Sequence, residues 1–82
     1  MSLETLRAKL DAVDADLIAV LARRAAVVDE IWAWKAAHGV GRVDPAREAE
    51  VRQRLLAQAE ALGLSRQAVA AILDRVIGHA LR

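Results

Sequence analysis

The chain has 82 residues, of which 56% are hydrophobic and 28% charged, with a formal net charge of +1. Four Gly, one Pro and no Asn are too few turn-formers for a many-stranded sandwich or barrel, and the apolar content excludes disorder. With no Cys there is no disulfide framework, thiolate metal site or cysteine nucleophile. The Lys and Arg residues are dispersed among acids, unlike the basic stripe of a nucleic-acid binder.

Ala and Leu dominate what remains, and both favour helix, so the expected class is all-α: one domain over residues 1–82, built from three helices. The first predicted helix runs from Leu3 to about His38 without Gly or Pro. Its apolar residues recur at Leu3, Leu6, Leu10, Val13, Leu17, Val20, Val27, Ile31 and Trp34, a three-four seam. Ser2 is the expected N-cap, with Thr5 where a full capping box would carry an acid, and Gly39 and Gly41 end the helix. The second helix opens at Asp44-Pro45, a cap followed by a proline whose missing N–H costs nothing there. Val51, Leu55, Ala59 and Leu62 are expected to line its inner face, and Gly63 stops it. Ser65 caps the third, whose stripe is Val69, Ile72, Leu73, Val76, Ile77 and Ala80, running on to the C-terminus.

The lengths of these elements predict a partner. A helix of about 36 residues spans roughly 54 Å, whereas a compact body of this chain length is only about 30 Å across. The apolar seam overshoots what one chain can cover, so a second copy is the economical cover and an intertwined homodimer is expected. No apolar run approaches a membrane span, and the N-terminus shows no basic-then-apolar signal pattern, so a soluble cytoplasmic protein is expected.

Polar residues interrupt the apolar pattern at a few places. Arg24 occupies a seam position and must meet an anion, either a protein carboxylate or a ligand; spacing alone does not choose. Lys35 lies eleven residues on, at nearly the same azimuth and roughly 16 Å further along, although a cation near a helix C-terminus also suits the macrodipole. Arg7 is about 25 Å from Arg24 and about 100° round the helix, so it would serve a partner's groove more easily than its own. Asp44, Arg47 and Glu48 share one face of the first turn of the second helix, where a surface ion cluster is the plainest explanation. Trp32 and Trp34 read as packing residues, and His38 and His79 carry no ligand spacing, so no metal site is expected.

Together, Leu6-Arg7, Asp11, Val13-Asp14, Leu17, Leu21, Arg24, Lys35, Asp44, Arg47-Glu48, Val51 and Gly63-Leu64 resemble the all-helical chorismate mutase family across the whole chain. The resemblance implies an intertwined dimer with two equivalent sites. It also implies the Claisen rearrangement of chorismate to prephenate, an isomerase step in aromatic amino acid (Phe/Tyr) biosynthesis that needs no cofactor. By position, Arg24 and a partner chain's Arg7 would grip the substrate carboxylates, and Lys35 would face a carboxylate and the ether oxygen. Glu48 would hold the ring hydroxyl, with Asp44 near the same group, and Arg47 would order that cluster. Two departures are visible: Ala80 stands where the family usually has a small hydroxyl residue, and Arg82 is the last residue, just before a polar position the family uses. A related mutase or lyase acting on 4-amino-4-deoxychorismate or isochorismate is the alternative within the enzyme class. Outside it, the alternative is a non-catalytic helical dimer that keeps the groove.

Overall fold

The computed structural model describes residues 2–41 and 43–77, which form three helices and no strand: α1 (Leu3–Ala37), α2 (Pro45–Ala61) and α3 (Arg66–Ile77). They divide between two compact units, one ending at Val40 and the other beginning at Gly41.

In the first unit, α1 is a single 35-residue helix, about 52 Å long at 1.5 Å per residue. It starts where the sequence places a cap: the Ser2 hydroxyl accepts the Thr5 N–H at 3.1 Å, and the two hydroxyls hydrogen-bond at 2.8 Å. It ends in a Schellman motif. Gly39 adopts φ +68°, the Gly39 N–H reaches the Ala36 carbonyl, and the Val40 N–H reaches the Lys35 carbonyl at 2.9 Å. Gly39 thus supplies the left-handed residue, and Gly41 lies beyond the motif. No residue of α1 is buried. Its predicted seam is exposed from end to end, from 45% at Leu6 to 61% at Leu3. A second stripe, Leu21, Arg24, Ala25, Val28, Trp32 and Lys35, is half-buried.

In the second unit, α2 and α3 pack as a helical hairpin. Asp44 caps α2 by accepting the Arg47 N–H at 3.1 Å, and Ser65 caps α3 by accepting the Ala68 N–H at 3.2 Å. Between them α2 ends like α1, with Gly63 at φ +79° and the Leu64 N–H on the Ala59 carbonyl at 3.0 Å. A side chain at either positive-φ glycine would be strained by its backbone angle rather than by crowding, since open space surrounds both.

The hairpin core is Leu56, Leu73 and Ile77, with Val51, Leu55, Val69 and Ala70 packed around it and Ala59 also buried. Leu56, at 1% exposure, is the most enclosed residue, and it falls outside the predicted face of α2. Leu62, predicted inside, is 79% exposed, and so is Ile72 at 59%. The series 51-55-59-62 and the observed 48-51-52-55-56-59 share Val51, Leu55 and Ala59 and differ by a rotation of about 35°. Periodicity fixes an apolar face only to within about that angle, and α3's approach selects the side of Leu56. On α3 the packed face centres on Leu73, and Ile72 lies about 100° round from it. Across the hairpin surface Arg52 pairs with Asp74 at 3.1 Å, and Arg66 pairs with Glu60 at 2.9 Å and donates to Gln53 at 3.3 Å.

Candidate functional site

On α1, the helical backbone puts Arg24 and Lys35 within about 20° of one another in azimuth and about 16 Å apart along the axis. Both are half-buried and both engage other groups. By azimuth they sit on the border between the half-buried stripe and the exposed seam. Arg7, by contrast, is exposed, on a different azimuth near the start of the helix.

On α2, the cap residue organises the first turn. The Asp44 carboxylate takes the Arg47 N–H and its carbonyl takes the Glu48 N–H at 3.0 Å, so the backbone of both residues is held at the positive end of the helix. Asp44, Arg47 and Glu48 therefore share one helical turn, which Arg47 joins in a particular way. Its backbone N–H, not its guanidinium, joins the cluster. The guanidinium instead donates to Glu50 at 2.9 Å, because Asp44 is committed to capping and Glu50 stands one turn on at i+3.

Glu48 is half-buried and lines a hollow of about 280 Å³ between α2 and α3. Leu73 and Ile77 form its apolar floor, Pro45 and Ala49 its wall, and the Arg52–Asp74 pair its rim. Sequence reasoning passed over Arg52 and Asp74. Arg52 was within reach, since it follows Glu48 by four residues on the same face. Asp74 was not, because its pairing across 22 residues depends on the register of the hairpin. Ala80, His79 and Arg82, three positions that bear on the sequence reading, lie outside the described residues.

Among the described residues no cluster of His, Cys, Asp and Glu could hold a metal ion, and no helix is long and apolar enough to cross a membrane. Each unit offers fixed charge: α1 carries two cations along one helix face, a type of group that pairs with anions, and α2 carries a carboxylate lining an apolar hollow, a type of group that accepts from a hydrogen-bond donor.

The family model for chorismate mutase type II matches residues 6–82, and so runs across both units. No curated protein and no solved structure is similar enough to count as a match.

Proposed function

Because the chain belongs to the chorismate mutase type II family, we propose that it converts chorismate to prephenate, as an intertwined homodimer in the cytoplasm. The reaction is a step in aromatic amino acid biosynthesis. The observation that carries this reading is the pair Arg24 and Lys35, two half-buried cations at nearly one azimuth of one helix. The substrate is a dicarboxylate, and the rearrangement is unimolecular: one C–O bond breaks as one C–C bond forms, with no co-reactant and no net proton transfer.

The chain's work is then positioning and electrostatics. Arg24, with Arg7 of the second copy, grips the two carboxylates and holds the compact chair-like conformer from which bond formation is a short step. Lys35 faces one carboxylate and the ether oxygen, where negative charge grows as the C–O bond lengthens. A donor already in place there lowers the barrier because it need not reorganise. Glu48 accepts from the ring hydroxyl, and Asp44 supports it by fixing the first turn of α2. Arg47 holds the outer side of that turn through Glu50.

The exposed seam of α1 supports the dimer. Ten of its large apolar side chains stand 45–64% exposed, and burying one such side chain fully stabilises by about 1.5–3 kcal/mol. An identical helix laid along the seam covers it most simply, and brings Arg7 of each copy to the site of the other. Sedimentation at micromolar concentration is expected to give a dimeric mass; a monomer would remove both the cover and the second carboxylate grip.

The decisive experiment mixes the protein with chorismate, 4-amino-4-deoxychorismate and isochorismate in parallel and identifies the products. Prephenate from chorismate is the expected result. A carboxylate at position 48 also suits an ammonium group, so preference for the amino analogue would move the substrate while keeping the site. Tight binding of a bicyclic transition-state mimic without turnover of any of the three would show a groove without catalysis.

A further inference from the structure

The last turn of α1 is fastened more heavily than a helix end requires. The Trp34 carbonyl receives two donors, the His38 backbone N–H at 3.1 Å and the His38 ring Nδ1 at 2.7 Å. A carbonyl can only accept, so Nδ1 carries the proton and donates. The same imidazole lies flat against the indole of Trp34, with centroids 4.0 Å apart and planes 17° from parallel. The Lys35 carbonyl is also doubly held, by the His38 N–H at 3.2 Å and the Val40 N–H at 2.9 Å.

These contacts bracket one residue. The Trp34 carbonyl belongs to the peptide plane entering Lys35, and the Lys35 carbonyl belongs to the plane leaving it. His38 donates to both. Helix ends ordinarily fray, and their last carbonyls lack intrahelical partners. A frayed last turn would swing the Lys35 Cα–Cβ direction, and a four-carbon stem multiplies that swing at the ammonium. We propose that His38 is a positioning residue for Lys35: its ring bond and its stack on Trp34 lock the turn that aims the lysine along the face it shares with Arg24. The proposal rests on the reading of Lys35 as the cation that meets the substrate. It assigns work to Trp34 and His38, neither of which the proposed chemistry otherwise uses.

Three variants dissect the fastening. His38→Ala removes ring bond and stack, His38→Phe keeps a stacked ring without the donor, and His38→Gln keeps an N–H donor without the ring. Amide hydrogen exchange is read first, because it needs no activity. The Val40 and His38 amides should exchange about fivefold faster in His38→Ala, the factor expected for one lost hydrogen bond, while the Leu56 amide in the hairpin is unchanged. Exchange unchanged at Val40 would overturn the lock. Turnover of chorismate is read second. His38→Ala should lower kcat about fivefold with KM little moved, since a misaimed donor is missed most in the transition state, and His38→Phe, which keeps the stack, should lower it by less, about threefold. His38→Gln should recover to within about twofold of the parent protein, because the bond is restored. Equal kcat in all three, or no recovery in His38→Gln, would overturn the positioning role. A parent protein that does not turn chorismate over would instead defeat the proposed function and Lys35's part in it. The exchange rates would still decide whether His38 locks the turn.

Discussion

Along α1, ten large apolar side chains stand 45–64% exposed and no residue is buried, whereas the shorter α2–α3 hairpin encloses Leu56 to 1% and buries Ala59, Leu73 and Ile77 as well. The hairpin's two stripes face each other and satisfy each other. The seam of α1 stays accessible for about 52 Å. The elements also differ in chemistry. Both half-buried cations proposed to meet the substrate are on α1, and the hairpin contributes the carboxylates of one helical turn. Local stability and substrate charge are therefore concentrated in different parts of the chain, and substitutions should separate them.

The largest separation is expected at Arg24. Arg24→Ala should lower kcat for chorismate by about 10²–10³, the loss seen when one preorganised charge-stabilising group is removed, and shift thermal unfolding by only a few degrees. Rate and melting temperature measured on the same preparation check it. A collapse in melting temperature with a normal rate per folded molecule would make Arg24 a structural ion-pair partner instead.

Leu56→Ala is the converse. Truncating the most enclosed side chain of the hairpin should cost about 2–5 kcal/mol in urea unfolding, with the rate per folded molecule preserved at temperatures where the variant stays folded. A loss under about 1 kcal/mol would mean that the hairpin core does not hold this unit together. A smaller effect is expected from Asp44→Ala. It removes the cap on the Arg47 N–H and should cost about 1 kcal/mol of stability, together with a modest rise in KM as the turn bearing Glu48 loosens. Asp44→Asn or Ser should restore most of the stability, because either side chain can accept the same bond.

Much of this division was legible beforehand, for physical reasons. Ser2, Asp44-Pro45, Ser65, Gly39 and Gly63 encode helix ends through one or two local bonds each, and such bonds depend on nothing far away. The shared azimuth of Arg24 and Lys35 follows from helical pitch alone. What escaped the sequence depends on packing between helices. Leu56 was passed over in favour of Leu62 because two apolar series overlap on α2, and only the approach of α3 chooses between them. Arg47 enters the first turn of α2 through its backbone N–H, and its guanidinium pairs with Glu50 at a spacing that the sequence does contain. His38 lacks a ligand spacing, yet a helix-terminal imidazole four residues after Trp34 has a local role available that needs no metal.

The smallest expected effect lies within the hairpin itself, in the ion pair beside Glu48. The Arg52–Asp74 pair joins α2 to α3 at 3.1 Å, with Asp74 63% exposed and Arg52 36%, so water screens most of its attraction. Asp74→Asn should therefore cost only about 0.2–1 kcal/mol of hairpin stability. The pair has a second consequence, because it fixes the direction of the Arg52 guanidinium. Glu48 precedes Arg52 by four residues, the favourable order for a helical ion pair. With Asp74 neutral, Arg52 gains freedom to turn back along α2 and place its charge against Glu48, competing with the substrate hydroxyl for that carboxylate. KM should then rise about two- to threefold, as expected for a competing pair worth a few tenths of a kcal/mol, with kcat nearly constant, and the rise should shrink as salt is added. Arg52→Gln removes the competitor and should keep KM at its parent value despite the same loss of the interhelical pair. A KM that rises equally in both variants would mean that the pair acts by holding the helices together, and that the hairpin's surface charges belong wholly to its stability.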